Sequence, residues 1–134
     1  MEGGILIMDV LIRFGFTIDE IKNMMNTNQD FELIHDKDVY LLIEILIKAG
    51  CSDEMIKNIF ICNPFCFSQN IHKINHLISK LYELGLNSLC WLLDSNPYIL
   101  NLSDEEIEKF YETKRQEGMP KEEIIDLLYS TMIM

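Results

Sequence analysis

Basic residues are scarce in this sequence. Eleven Lys and Arg stand against 22 Asp and Glu, for a formal net charge of −11. The charge is −1 over residues 1–14, −4 over 15–49, 0 over 50–84, −4 over 85–117 and −2 over 118–134, so no segment is basic. Such a balance repels phosphate and argues against a bulk electrostatic grip on nucleic acid. Long apolar runs are missing too: the runs present are interrupted by Asp9 and Glu44 and are too short to span a bilayer, so no membrane partner is expected. Met1-Glu2-Gly3-Gly4 lacks the basic start of a secretory leader, which leads to the expectation of a cytoplasmic protein. Four cysteines, Cys51, Cys62, Cys66 and Cys90, do not make a disulfide framework in a chain of 134 residues with 49% hydrophobic content; reduced thiols are expected. No glycine-rich phosphate loop is present.

Glycine and proline are few, six and three, but their placement is periodic. Gly15, Gly50, Gly85 and Gly118 stand 35, 35 and 33 residues apart. A fixed period in this range marks a stacked repeat architecture. The register is restored from the other side by proline: ten residues separate Pro64 from Ile74 and Pro97 from Ile107, and ten also separate Gln29, in the proline position of the first copy, from Val39.

Each copy reads as a pair of helices. After the glycine comes an N-cap: Thr17 with Glu20 three residues on, Ser52 with Asp53 and Glu54, and Asn87 in the third copy. A first helix follows with apolar residues at helical spacing, such as Ile18, Ile21, Met24 and Met25, or Met55, Ile56, Ile59 and Phe60. Asn63-Pro64 and Asn96-Pro97 stop that helix, because proline disfavours helical geometry in the residue before it. The second helix carries Val39, Leu42, Ile43 and Leu46, or Ile74, Leu77, Ile78 and Leu81, and ends at the next glycine. Ser103 to Glu106 form another capping box, and Pro120 opens a last helix. The expectation is an all-α, short right-handed α-solenoid of about seven helices in one domain, residues 1–134. Its repeats run about 15–49, 50–84 and 85–117, with partial repeats at 1–14 and 118–134.

Leu81-Tyr82-Glu83-Leu84-Gly85-Leu86-Asn87, Leu92-Leu93-Asp94-Ser95-Asn96-Pro97-Tyr98-Ile99-Leu100 and Asn63-Pro64-Phe65 together resemble the repeat of the mitochondrial transcription termination factor (mTERF) family. The resemblance runs across nearly the whole chain. It implies helix pairs, each with a short helical turn, stacked into a curved solenoid of about three mTERF-like repeats. It also implies nucleic-acid binding through a basic groove; in this sequence the cations available for that are few, led by Lys57, Lys73 and Lys80 of the neutral central repeat.

Candidate chemistry is thin. Cys62, Cys66, His72 and His76 follow a Cys-x3-Cys, His-x3-His pattern that would suit tetrahedral zinc and a small zinc-binding domain. The five-residue gap is short for a finger, and Cys66 aligns with the apolar Phe31 and Ile99, so no metal and no cofactor are expected. Phe65, Phe67, Tyr98 and Trp91 are read as packing between units before being read as a platform for bases. Nothing pairs a nucleophile with a positioned base, so the chain is not expected to be an enzyme.

The acidic residues gather at Asp30, Glu32, Asp36 and Asp38, and again at Asp104, Glu105, Glu106, Glu108 and Glu112, where second helices begin. The functional expectation is a non-catalytic acidic module that binds a basic protein partner. In its sharpest form it is an inhibitor that imitates phosphate before a nucleic-acid-handling protein, in the manner of phage or mobile-element anti-CRISPR proteins. The alternative is mTERF-like nucleic-acid binding or a transcription-related role.

Overall fold

The computed structural model describes residues 2–130, with side chains described for residues 7–31 and 33–130. Among these residues there are eight α-helices and no strand. They are α1 (Glu2–Phe14), α2 (Ile18–Thr27), α3 (Asp36–Lys48), α4 (Asp53–Cys62), α5 (Ile71–Glu83), α6 (Leu89–Ser95), α7 (Asp104–Gln116) and α8 (Lys121–Ser130). Three short 3-10 turns, Phe31–Leu33, Pro64–Ser68 and Pro97–Asn101, link the two helices of each full repeat. The second helices pack in sequence, α1 on α3, α3 on α5 and α5 on α7, while the first helices make a parallel row of α2, α4, α6 and α8. Each unit therefore buries its apolar face only against its neighbours, as a solenoid must.

The helix ends follow from the residues at them. Thr17 accepts from the Glu20 N–H at 3.1 Å while the Glu20 carboxylate accepts from the Thr17 N–H at 2.8 Å, and Ser103 with Glu106 repeats this box at α7. Ser52 caps α4 by accepting from the Met55 N–H at 3.2 Å. The third copy differs from expectation. Asn87 is not its cap; Ser88 takes that place without a side-chain hydrogen bond, and α6 has only seven residues. Two residues are missing from this copy between its glycine and its proline, and the helix is shortened from its uncapped start.

All four periodic glycines sit at positive φ, between 91° and 120°, just past the ends of α1, α3, α5 and α7. At each, the N–H of the residue after the glycine bonds back to the carbonyl five residues earlier: Phe16 to Leu11, Cys51 to Leu46 and Leu86 to Leu81, each at 3.0 Å, and Met119 to Lys114 at 3.1 Å. This is the Schellman arrangement, and it satisfies carbonyls that the helix leaves orphaned. The residue after the glycine turns inward: Phe16, Cys51 and Leu86 are buried.

The core runs unbroken from Ile7 to Leu128. Val39, Ile74 and Ile107, the three residues ten past the proline position, are all fully sequestered, which confirms the register read from the sequence. At the first junctions the core is aromatic. Phe14 stacks on Phe16, Phe16 on Phe60, and Phe60 meets Phe67 at 4.5 Å between centroids, with Phe31 edge-on to Phe67 at 5.5 Å. Such offset and edge contacts each add roughly 0.5–1.5 kcal/mol beyond area burial.

Three asparagines, Asn28, Asn63 and Asn96, are buried at the ends of α2, α4 and α6. The Asn28 carboxamide donates to the Pro64 carbonyl at 3.0 Å and to the Ser68 hydroxyl at 2.9 Å. Asn63 does the same one repeat later, to the Pro97 carbonyl at 3.0 Å and to Asn101 at 3.1 Å. Asn28 and Asn63 thus each reach from the end of one first helix into the 3-10 turn of the following repeat.

Candidate nucleic-acid and partner-binding surfaces

The acidic residues lie at equivalent ends of equivalent helices. Asp36 and Asp38 are in the first turn of α3, and Asp104, Glu105 and Glu106 are in the first turn of α7, where the helix dipole favours negative charge. Asp30 precedes its 3-10 turn and is exposed, while the side chain of Glu32 lies outside the described residues. The two groups do not form one continuous surface. Between α3 and α7 stands α5, whose start is Asn70, His72 and Lys73, with no acid in its first turn. Glu106 is occupied by its capping box, and Glu108 accepts from Lys80 at 2.6 Å; Glu105 and Glu112 remain exposed.

The three central-repeat lysines are not gathered into a patch either. Lys57 belongs to the first-helix row, and Lys73 and Lys80 belong to α5 in the second-helix row. Each bridges a repeat junction. The Lys57 chain passes the Gly15 turn, its ammonium lies 5.7 Å over the Phe16 ring, and it pairs with Glu20 at 3.8 Å. Lys73 donates to the Gln69 side chain at 2.6 Å and to the Asn101 carbonyl at 3.0 Å. Lys80 is held by Glu108 of α7 and by Glu83 at 3.4 Å, and the hydrogen bond to Glu108 raises its ammonium above the usual lysine value. Sequence reasoning picked these cations for their segment's neutral charge, but it could not see which carboxylates the stack brings beside them.

The aromatic residues divide. Phe67 is core, as expected, but Phe65 is 44% exposed, Tyr98 40% and Trp91 65%. Packing between units therefore does not account for these three. Phe65 and Tyr98 each follow the proline of their copy, and the 3-10 turns that carry them lie against each other, so the pair is presented on adjoining repeats. A flat apolar ring at a repeated surface position offers a face on which a base can stack. A separate groove of about 310 Å³ lies between α3 and α5, lined by Leu41, Ile45, Ile71 and Ile78 together with Glu44 and Lys48.

The zinc pattern is not assembled. Cys66 is sealed in the core, while Cys62, His72 and His76 are exposed, and no group of three or more His, Cys, Asp or Glu among the described residues is placed to hold a metal. The reason is the 3-10 turn: it points Cys66 inward at the position of Ile99, whereas Cys62 at the end of α4 faces outward beside Asn58. Burial pushes the Cys66 thiol far above its ordinary range, so it stands as a small apolar side chain. Sequence reading took the asparagine before the proline only as part of a helix stop; the structure uses Asn28 and Asn63 to reach across the repeat junctions.

No curated protein matches this chain. A family model, mTERF, matches residues 6–133, which takes in every helix from α2 to α8 and most of α1. With its helix pairs, 3-10 turns and glycine-ended second helices stacked from α1 to α8, the chain belongs to the mTERF family.

Proposed function

We propose that this chain is a non-catalytic helical-repeat module that binds nucleic acid in a transcription-related process. The observation that carries the reading is the family match over residues 6–133, and the repeated exposed pair Phe65 and Tyr98 supports it. The charge sets the mode of binding. A net −11, with Lys57, Lys73 and Lys80 engaged at repeat junctions, leaves little for a phosphate-led grip. Ring stacking on unpaired bases suits this surface better than a duplex backbone, because each base–aromatic stack contributes roughly 1–3 kcal/mol whatever the sequence. The test is a mobility-shift series at low salt with single-stranded DNA, RNA and duplex DNA. Micromolar binding to a single strand, weakened at least tenfold by Phe65→Ala with Tyr98→Ala, is the expected result. No shift with any of the three would overturn the proposal.

A second reading rests on the exposed acids at the starts of α3 and α7, which fit a basic protein segment. Pull-down with the wild type and with a variant carrying Asp104→Asn, Glu105→Gln, Glu106→Gln and Glu108→Gln separates the two: a partner lost from the variant favours the protein reading. Nothing in the family match points to an inhibitor, and that sharper form is not carried forward.

A further inference from the structure

Two of the four cysteines occupy facing positions across one repeat junction. Lys57 and Cys90 each stand seven residues before their proline, and Phe16 and Cys51 each follow their periodic glycine. In the first junction these positions are in contact: the Lys57 chain comes within 4.0 Å of where a Cβ on Gly15 would stand, with its ammonium over Phe16. In the next junction the Cys90 sulfur comes within the same 4.0 Å of a Cβ position on Gly50, the residue bonded to Cys51. Where the first junction has a phenyl ring and a lysine, the next has two thiols.

We infer that Cys51 and Cys90 form an oxidative modification site, a thiol pair that small disulfides convert into a cross-link between the second and third repeats. All four cysteines are free thiols, and the two differ in access: Cys90 is partly exposed at the first turn of α6, and Cys51 is buried in the turn after α3. The order of events follows from that difference. The Cys90 thiol gives up its proton and attacks one sulfur of a low-molecular-weight disulfide; a new S–S bond forms, the external one breaks, and one thiol leaves carrying a proton. The Cys51 thiol then attacks the Cys90 sulfur of this mixed disulfide, forming the cross-link and releasing the second thiol. Two protein thiols are oxidised and one external disulfide is reduced, so atoms and electrons balance.

The surroundings set the rate. The Cys51 thiol is pushed up to about 11, first by burial and then by the neighbouring Cys90 and Asp94, so the closing step quickens as pH rises toward that value. Cys62 is exposed at the end of α4 beside Asn58 and Cys66 is sealed in the core.

The test is to incubate the folded chain with glutathione disulfide at mildly alkaline pH and map its thiols by mass spectrometry without reduction. The expected result is a linked Cys51–Cys90 peptide in the wild type and in Cys62→Ser. Cys51→Ser should stop at glutathione bound to Cys90, and Cys90→Ser should give no cross-link. The oxidised wild type should melt about 5 °C higher than the reduced form, as a cross-link closing a long loop does. A wild type that takes up glutathione at Cys90 without closing the bridge, or closes it only in urea, would overturn the inference. The wild-type map stands alone if a serine variant fails to fold.

Discussion

The Asn63 carboxamide donates to the Pro97 carbonyl at 3.0 Å, across the junction between the second and third repeats. Both residues are buried, and the same bond joins Asn28 to Pro64 one repeat earlier. One polar residue at the end of each of these first helices thus locates the 3-10 turn of the following copy. A buried donor and acceptor that satisfy each other add direction where apolar packing alone would allow sliding.

Removing that donor should be costly out of proportion to its size. Asn63→Ala leaves the Pro97 carbonyl and Asn101 without their partner, and a loss of about 2 kcal/mol is expected. Asn63→Asp, which cannot donate, should lose at least as much. Urea unfolding monitored by circular dichroism measures both, and a midpoint equal to wild type would remove the asparagine from the account of how repeats are held.

At Gly50 the cost is one of conformation. Its φ is +95°, and a Cβ there meets nothing nearer than the Cys90 sulfur at 4.0 Å. Gly50→Ala should therefore destabilise by about 1 kcal/mol through left-handed backbone strain, without a clash. Thermal melting is the readout, and a neutral result would mean that the turn after α3 had changed conformation.

Acid should loosen the start of the stack through Glu20. The hydrogen bond from the Thr17 backbone N–H, then the nearby Lys57 charge, holds its carboxyl below the ordinary value of 4.5 despite some opposing desolvation. A carboxyl lowered in the folded state contributes stability that is fully present above 4.5 and is lost as pH falls through the folded value. Glu20→Gln should flatten this part of the pH profile. The check is stability of both proteins from neutral pH to below pH 4; parallel curves would contradict it.

An aromatic core joins the first repeat to the second. Phe60 is fully buried, stacks against Phe16 and meets Phe67 edge-on. Phe60→Ala should destabilise by about 3–5 kcal/mol, the range for a phenyl ring removed from a core that collapses only partly. Phe65→Ala, at an exposed ring, should change stability by less than about 0.5 kcal/mol. Comparing the two in the same denaturant titration separates core from surface aromatics.

The repeat and its punctuation were legible before any coordinates, because they depend on local chemistry. Glycine at the four turns, serine or threonine with glutamate three residues later, and proline after asparagine each act within one or two helical turns of themselves. The apolar period then chose which face of each helix to bury, and Val39, Ile74 and Ile107 went where that period placed them. The family likeness rests on the same local signals.

What only the tertiary structure decided concerns residues whose meaning depends on a neighbour some 35 positions away. Lys57 beside Glu20, Lys80 beside Glu108, Asn28 beneath Pro64 and Cys90 near Gly50 are all pairings between adjacent copies. A repeat sequence specifies each unit from within, but the charge and hydrogen-bond partners of its surface belong to the stack. That is why the lysines chosen for an interface proved to be junction contacts, why the zinc pattern fell apart around an inward-turned Cys66, and why Phe65 and Tyr98 came to the surface. Helical period gives the face of a residue, and stacking alone decides whether that face is covered.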